Sequence, residues 1–64
     1  MAFSGKIRHA RLLKRLTIEE TARALGISPR TYSAYERGER EPTFSKALEI
    51  LRFLKSLGVH RGAL

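Results

Sequence analysis

The five residues Leu25-Gly26-Ile27-Ser28-Pro29 leave the backbone few paths, and they constrain this chain more than any other stretch. Gly26 is able to take the left-handed conformation that ends a helix, so a helix arriving at Leu25 stops there. Ser28 offers a side-chain oxygen to the next helix N-terminus, and Pro29 suits the first helical position, where its missing N–H costs nothing. Upstream, Thr17 and Glu20 have the spacing of a capping box, which starts a helix at Ile18. The stretch Thr17 to Arg37 therefore reads as two short helices, 18–25 and 29–37, joined by a tight turn. Ala22 is small where the second must cross the first. On the second helix, Tyr32 and Tyr35 fall on the inner side. Arg30, Ser33, Ala34 and Arg37 are expected to face outward.

Two further helices complete an all-α chain. The first is expected over residues 5–15, with Ser4 as a cap and Ile7 and Ala10 facing inward beside Arg11. Leu12 and Leu13 lie off that side and find no clear place. After the loop Gly38 to Pro42, Thr43 caps a last helix expected over residues 44–57 and ending at Gly58. Phe44, Ala47, Leu48, Leu51 and Leu54 form a stripe at helical spacing that reads as core. Ile50, Phe53 and Leu57 form a second apolar stripe beside it, more than one small domain needs. Val59 to Leu64 is too short for another full helix. With 64 residues the chain reads as one domain, 1–64, with a modest core. No cysteine is present to staple it.

The ordered set of motifs resembles the helix-turn-helix of the phage repressor and Cro family. It is carried by Ile7-Arg8 with Arg11, Leu16-Thr17, Glu20, Ala22, Leu25-Gly26-Ile27-Ser28, Tyr35-Glu36-Arg37-Gly38, and Pro42 before the final apolar helix. The match runs from about Ile7 to Leu54. The resemblance implies a compact four-helix, lambda-repressor-like bundle, or a five-helix one, in which the helix beginning at Pro29 enters the major groove of duplex DNA. It implies base contacts from Pro29, Arg30, Ser33 and Ala34, with Arg30 suited to the O6 and N7 of guanine. Thr17, Ser28, Thr31, Arg37 and Arg40 are the implied phosphate contacts. It also implies an ion pair between Arg11 and Glu36, the alternative being two exposed side chains that never meet. The chain departs from the family's pattern at Ile18, where glutamine is usual, at Thr21, where an apolar residue is usual, and at its C-terminus, where many relatives have a fifth helix. Glu39 and Glu41 lie in a loop expected near phosphates, which they would repel.

Charge points to the same partner. Thirteen Lys and Arg against six acidic residues give +7, and a large excess of cations favours a polyanion. Lys6, Arg8, Arg11, Lys14 and Arg15 concentrate it in the first helix. No run of apolar residues is long enough to span a membrane, and Met1 to Gly5 lacks the apolar centre of a signal peptide, so the default location is the cytoplasm. His9 and His60 stand isolated, with no second ligand at metal spacing and no nucleophile paired with a base. No enzyme activity, metal, cofactor or small-molecule substrate is therefore expected.

The resulting expectation is a DNA-binding transcriptional regulator of the repressor type. It would occupy a near-palindromic operator as a homodimer whose interface holds Ile50, Phe53 and Leu57. The competing readings are a protein-interaction module on the same fold, an antitoxin or restriction-controller type of DNA binder, and a membrane-surface peptide built on the amphipathic last helix. For the apolar residues on that helix, a C-terminal tail folded back over them is the alternative to a second copy.

Overall fold

A computed structural model describes the backbone of residues 2–62 and the side chains of residues 2–55. Among the described residues there are four helices and no strand: α1 (Phe3–Leu13), α2 (Ile18–Leu25), α3 (Pro29–Arg37) and α4 (Phe44–Gly62). α3 packs against both α2 and α1, and α4 packs against α1 and α2.

α2 starts on a full capping box. The Glu20 N–H donates to Thr17 Oγ1 at 2.9 Å, and the Thr17 N–H donates to Glu20 Oε1 at 2.9 Å. It ends at Gly26, whose φ of 73° is the left-handed region that a side chain makes costly. α3 repeats the logic, with Ser28 accepting from the Thr31 N–H at 3.1 Å and Gly38 closing the helix at φ 76°. Thr43 caps α4, accepting from the Lys46 N–H at 3.2 Å.

α1 sits two residues earlier at each end than its spacing suggested. Ala2, not Ser4, is its N-cap, and no side chain bonds there. At the other end Arg15 takes a left-handed φ of 58°, and the Leu16 N–H returns to the Arg11 carbonyl at 3.2 Å. An arginine thus occupies a position usually given to glycine, at a cost on the order of 1 kcal/mol. No residue type advertised that turn.

The core is Ile7, Ala22, Leu25, Tyr32, Ile50 and Leu54, with Phe3, Ala10, Leu16, Ile18, Ile27, Tyr35, Leu51 and Phe53 packed around it. This corrects the reading of α4. Ile50, expected off the core side and in a dimer interface, is 0% exposed, whereas Phe44 is 79% and Leu48 37% exposed. The helix presents the Ile50–Leu54 side inward, so the expected core stripe is rotated outward at its start. Phe53 is half-buried against the core, and Leu57 lies outside the described side chains. The α4 backbone passes Gly58 without ending. Leu12 and Leu13 are exposed. Thr21 is fully buried where an apolar residue is usual, and its hydroxyl donates to the Thr17 carbonyl at 2.9 Å, which satisfies it inside the helix.

Candidate nucleic-acid interface

The position of α3 depends on one buried polar connection. Arg11 donates through Nε and Nη2 to the two carboxylate oxygens of Glu36, the second bond at 3.0 Å, and through Nη1 to the Leu16 carbonyl at 2.7 Å. The side chains are only 10% and 5% exposed. A fork-to-fork pair has one preferred orientation, so it sets how α3 lies across α1 as well as that the two touch. Hydrogen bonding to Glu36 raises the Arg11 pKa above its ordinary value. The hydroxyl of fully buried Tyr32 lies near this pair but meets no partner in hydrogen-bonding geometry. Burial, then the Glu36 carboxylate, push its pKa upward, so it stays a neutral phenol.

With α1 and α2 on two sides, α3 has a narrow free face. Pro29 and Arg30 are exposed at its start, Ser33 is half-buried midway, and Arg37 is exposed at its end. Arg30, Ser33 and Arg37 follow at i, i+3 and i+7, which is one side of a helix. Ala34 does not join them. It is 6% exposed, so the outward position expected for it is corrected. Flanking helices on two sides leave less outer surface than a lone helical wheel suggests.

The expected phosphate contacts fall into two groups. Thr17 and Ser28 are exposed caps at the starts of α2 and α3, and the Ser28 hydroxyl donates to Thr31 Oγ1 at 2.9 Å. Both therefore lie beside helix N-termini, where N–H groups favour an anion. Arg37 is already engaged. Its Nε and Nη2 donate to the Glu39 carboxylate at 2.9 and 3.0 Å, and its Nη1 donates to Ser33 Oγ. Hydrogen bonding to Arg37 holds the Glu39 carboxyl below its usual pKa. Arg40 is exposed but opens onto a different groove, beside Phe3, Tyr35, Pro42 and Phe44, and not onto the cleft that Ser33 and Arg37 share.

One cation was not singled out by its sequence position. Arg8, exposed on α1, lines the same cleft as Ile18, Ser33, Arg37 and Glu39. The packing of α1 across α3 brings it there, whereas in the sequence Arg8 belongs to the Ile7-Arg8 motif and to the charge concentrated in α1, neither of which assigns it a contact. Among the described residues no group of acidic, histidine or cysteine side chains is arranged to hold a metal, and no helix is long and apolar enough to cross a membrane.

Comparison with known proteins returns the same architecture. The helix-turn-helix family matches residues 7–63. The cryptic phage CTXphi transcriptional repressor RstR of Vibrio cholerae is 37% identical over 51 residues, which cover 80% of this chain and 46% of the repressor. An HTH-type transcriptional regulator of Bacillus subtilis, YqaE, is 38% identical over 52 residues, covering 81% of this chain and 45% of the regulator. A third such regulator, from Methanocaldococcus jannaschii, is 38% identical over 49 residues, covering 77% and 74%. The chain thus spans about half the length of the first two relatives. No solved structure matches it significantly.

Proposed function

Because this chain belongs to the helix-turn-helix family, we propose that it binds duplex DNA sequence-specifically through α3 and represses transcription by occupying an operator, as a Cro-type repressor does. The observation that carries the reading is the free face of α3: an exposed arginine in its first turn, with no fold-stabilising bond to lose, on a helix held at a fixed angle by a buried ion pair. Arg30 bonds O6 and N7 of guanine, Pro29 and Ser33 approach neighbouring base edges, and Thr17, Ser28, Thr31 and Arg40 bind phosphates. Arg8 adds a further cation. The repressor and regulators among the relatives support the assignment.

One such helix reads too little sequence for discrimination, so the operator is a near-palindrome read by a homodimer with its two α3 helices roughly 34 Å apart. The exposed apolar pair Phe44 and Leu48 on α4 supplies surface for a second copy. The same pair, with Leu12 and Leu13, favours the alternative, a protein-interaction module that does not read DNA.

Titration of mixed-sequence duplex and of a duplex selected from a random pool, across a salt series, separates these. Repressor function requires two chains per selected duplex and affinity that falls steeply with salt. It also requires an Arg30→Ala loss of about 1–3 kcal/mol on the selected site with little change on mixed sequence. Equal loss on both makes Arg30 a phosphate contact, and no binding to either duplex leaves the interaction module.

A further inference from the structure

Ser33 sits midway along the free face of α3 with its oxygen already committed. A guanidinium has donors and no acceptor, so in the Arg37–Ser33 bond Ser33 Oγ must accept. A serine inside a helix commonly turns its proton back to the carbonyl four residues earlier. Thr21 does this, donating to the Thr17 carbonyl at 2.9 Å, whereas the hydrogen bond of Ser33 is the one it accepts from Arg37. The Ser33 proton is therefore free to point outward, while the positive charge beside the oxygen opposes a second incoming donor.

Arg37 is held in that role from its other edge. Gly38 turns the chain at φ 76°, the Glu39 N–H returns to the Ala34 carbonyl at 3.0 Å, and the Glu39 carboxylate then meets Arg37 side-on through two bonds. Two-point binding fixes the plane of the guanidinium as well as its position, and that plane carries Nη1 to Ser33. All three side chains line one cleft.

We propose that Glu39 and Arg37 set the hydrogen-bonding polarity of Ser33, so that α3 presents a donor there and selects a base edge offering an acceptor. Resting on the DNA-binding reading above, this makes Ser33 specific for N7 or O6 of guanine, N7 of adenine or O4 of thymine, and averse to the amino group of cytosine. Arg37 and Glu39 are positioning residues, and Glu39, which repels phosphate, is kept in the loop for what it does to Arg37.

The test is selection of sites from a randomised duplex pool by the wild-type chain and by Ser33→Ala, Arg37→Lys and Glu39→Gln, with salt dependence measured for each. The wild type should prefer an acceptor edge by about fivefold at one position, the worth of one hydrogen bond. All three variants should flatten that same position, and Ser33→Ala combined with Glu39→Gln should flatten it no further. Arg37→Lys retains the charge, so its salt dependence should match wild type while its preference is lost; a phosphate role would keep both. Arg37 and Glu39 are exposed, and melting of each variant checks that the fold persists. The proposal is overturned if Arg37→Lys and Glu39→Gln keep the wild-type preference at the position that Ser33→Ala flattens. A wild type that reads bases only under Arg30 defeats this inference alone, and one that binds no duplex defeats the DNA-binding reading with it.

Discussion

The α2–α3 unit and α4 are built on different kinds of information. In α2 and α3 each boundary is fixed by directed bonds or by a special backbone: the Thr17–Glu20 capping box, Ser28 with Pro29, and the left-handed glycines 26 and 38. α4 has one capping residue, Thr43, and two adjacent apolar stripes that compete for the inward side. Hydrophobic burial has no direction, so where two faces are apolar the pattern alone does not choose between them. The neighbours choose, and here they bury Ile50 and Leu54 and leave Phe44 out.

The sharpest way to test that contrast is to cut the polar connection. Replacing Arg11 by Gln should cost about 3–5 kcal/mol in chemical denaturation, because it strands the Glu36 carboxylate in a nearly dry site and removes the bond to the Leu16 carbonyl. Replacing both partners by apolar residues of similar size should recover much of the loss. A double-mutant cycle that comes out additive would show that the pair is not coupled.

A smaller but cleaner comparison lies within α4. Ile50→Ala should destabilise by about 2–5 kcal/mol and Phe44→Ala by no more than about 0.5 kcal/mol when the chain is monomeric. The reverse order would restore the rotated stripe. A Phe44→Ala effect that grows with protein concentration would place that residue in contact between copies.

The weakest effect concerns the turn after α1. Arg15→Gly relieves a left-handed arginine but loosens the unfolded chain, so the two terms nearly cancel and stability should rise by less than about 1 kcal/mol. Gly38→Ala, judged by the same denaturation midpoint, should instead cost about 1 kcal/mol. A marked loss on Arg15→Gly would mean that the arginine side chain holds the turn.

These differences mark what was legible in the residues. The boundaries of α2 and α3 and the inward placement of Tyr32 followed from chemistry confined to a few neighbouring positions. The end of α1 did not, because a left-handed arginine, flanked here by the Leu16 N–H bond to the Arg11 carbonyl and the Arg11 side-chain bond to the Leu16 carbonyl, carries no local sign. The same holds at the candidate interface. Arg30 stands out by its place in the first turn, whereas the burial of Ala34 and the nearness of Arg8 depend on how separate segments meet in space, and the capture of Arg37 by Glu39 depends on the path the chain takes through the Gly38 turn.

Arg11 also bears on how the molecule opens. Its guanidinium touches the carbonyl that leads into α2 and a carboxylate in the last turn of α3, so neither segment can swing away without breaking a charged bond in a site largely closed to water. Fraying of α3 is thereby made cooperative with α1 and the turn between α1 and α2. Amide protons across these segments should exchange with solvent at a common free energy, and a helix that must meet a groove in one orientation is kept from wandering before it arrives.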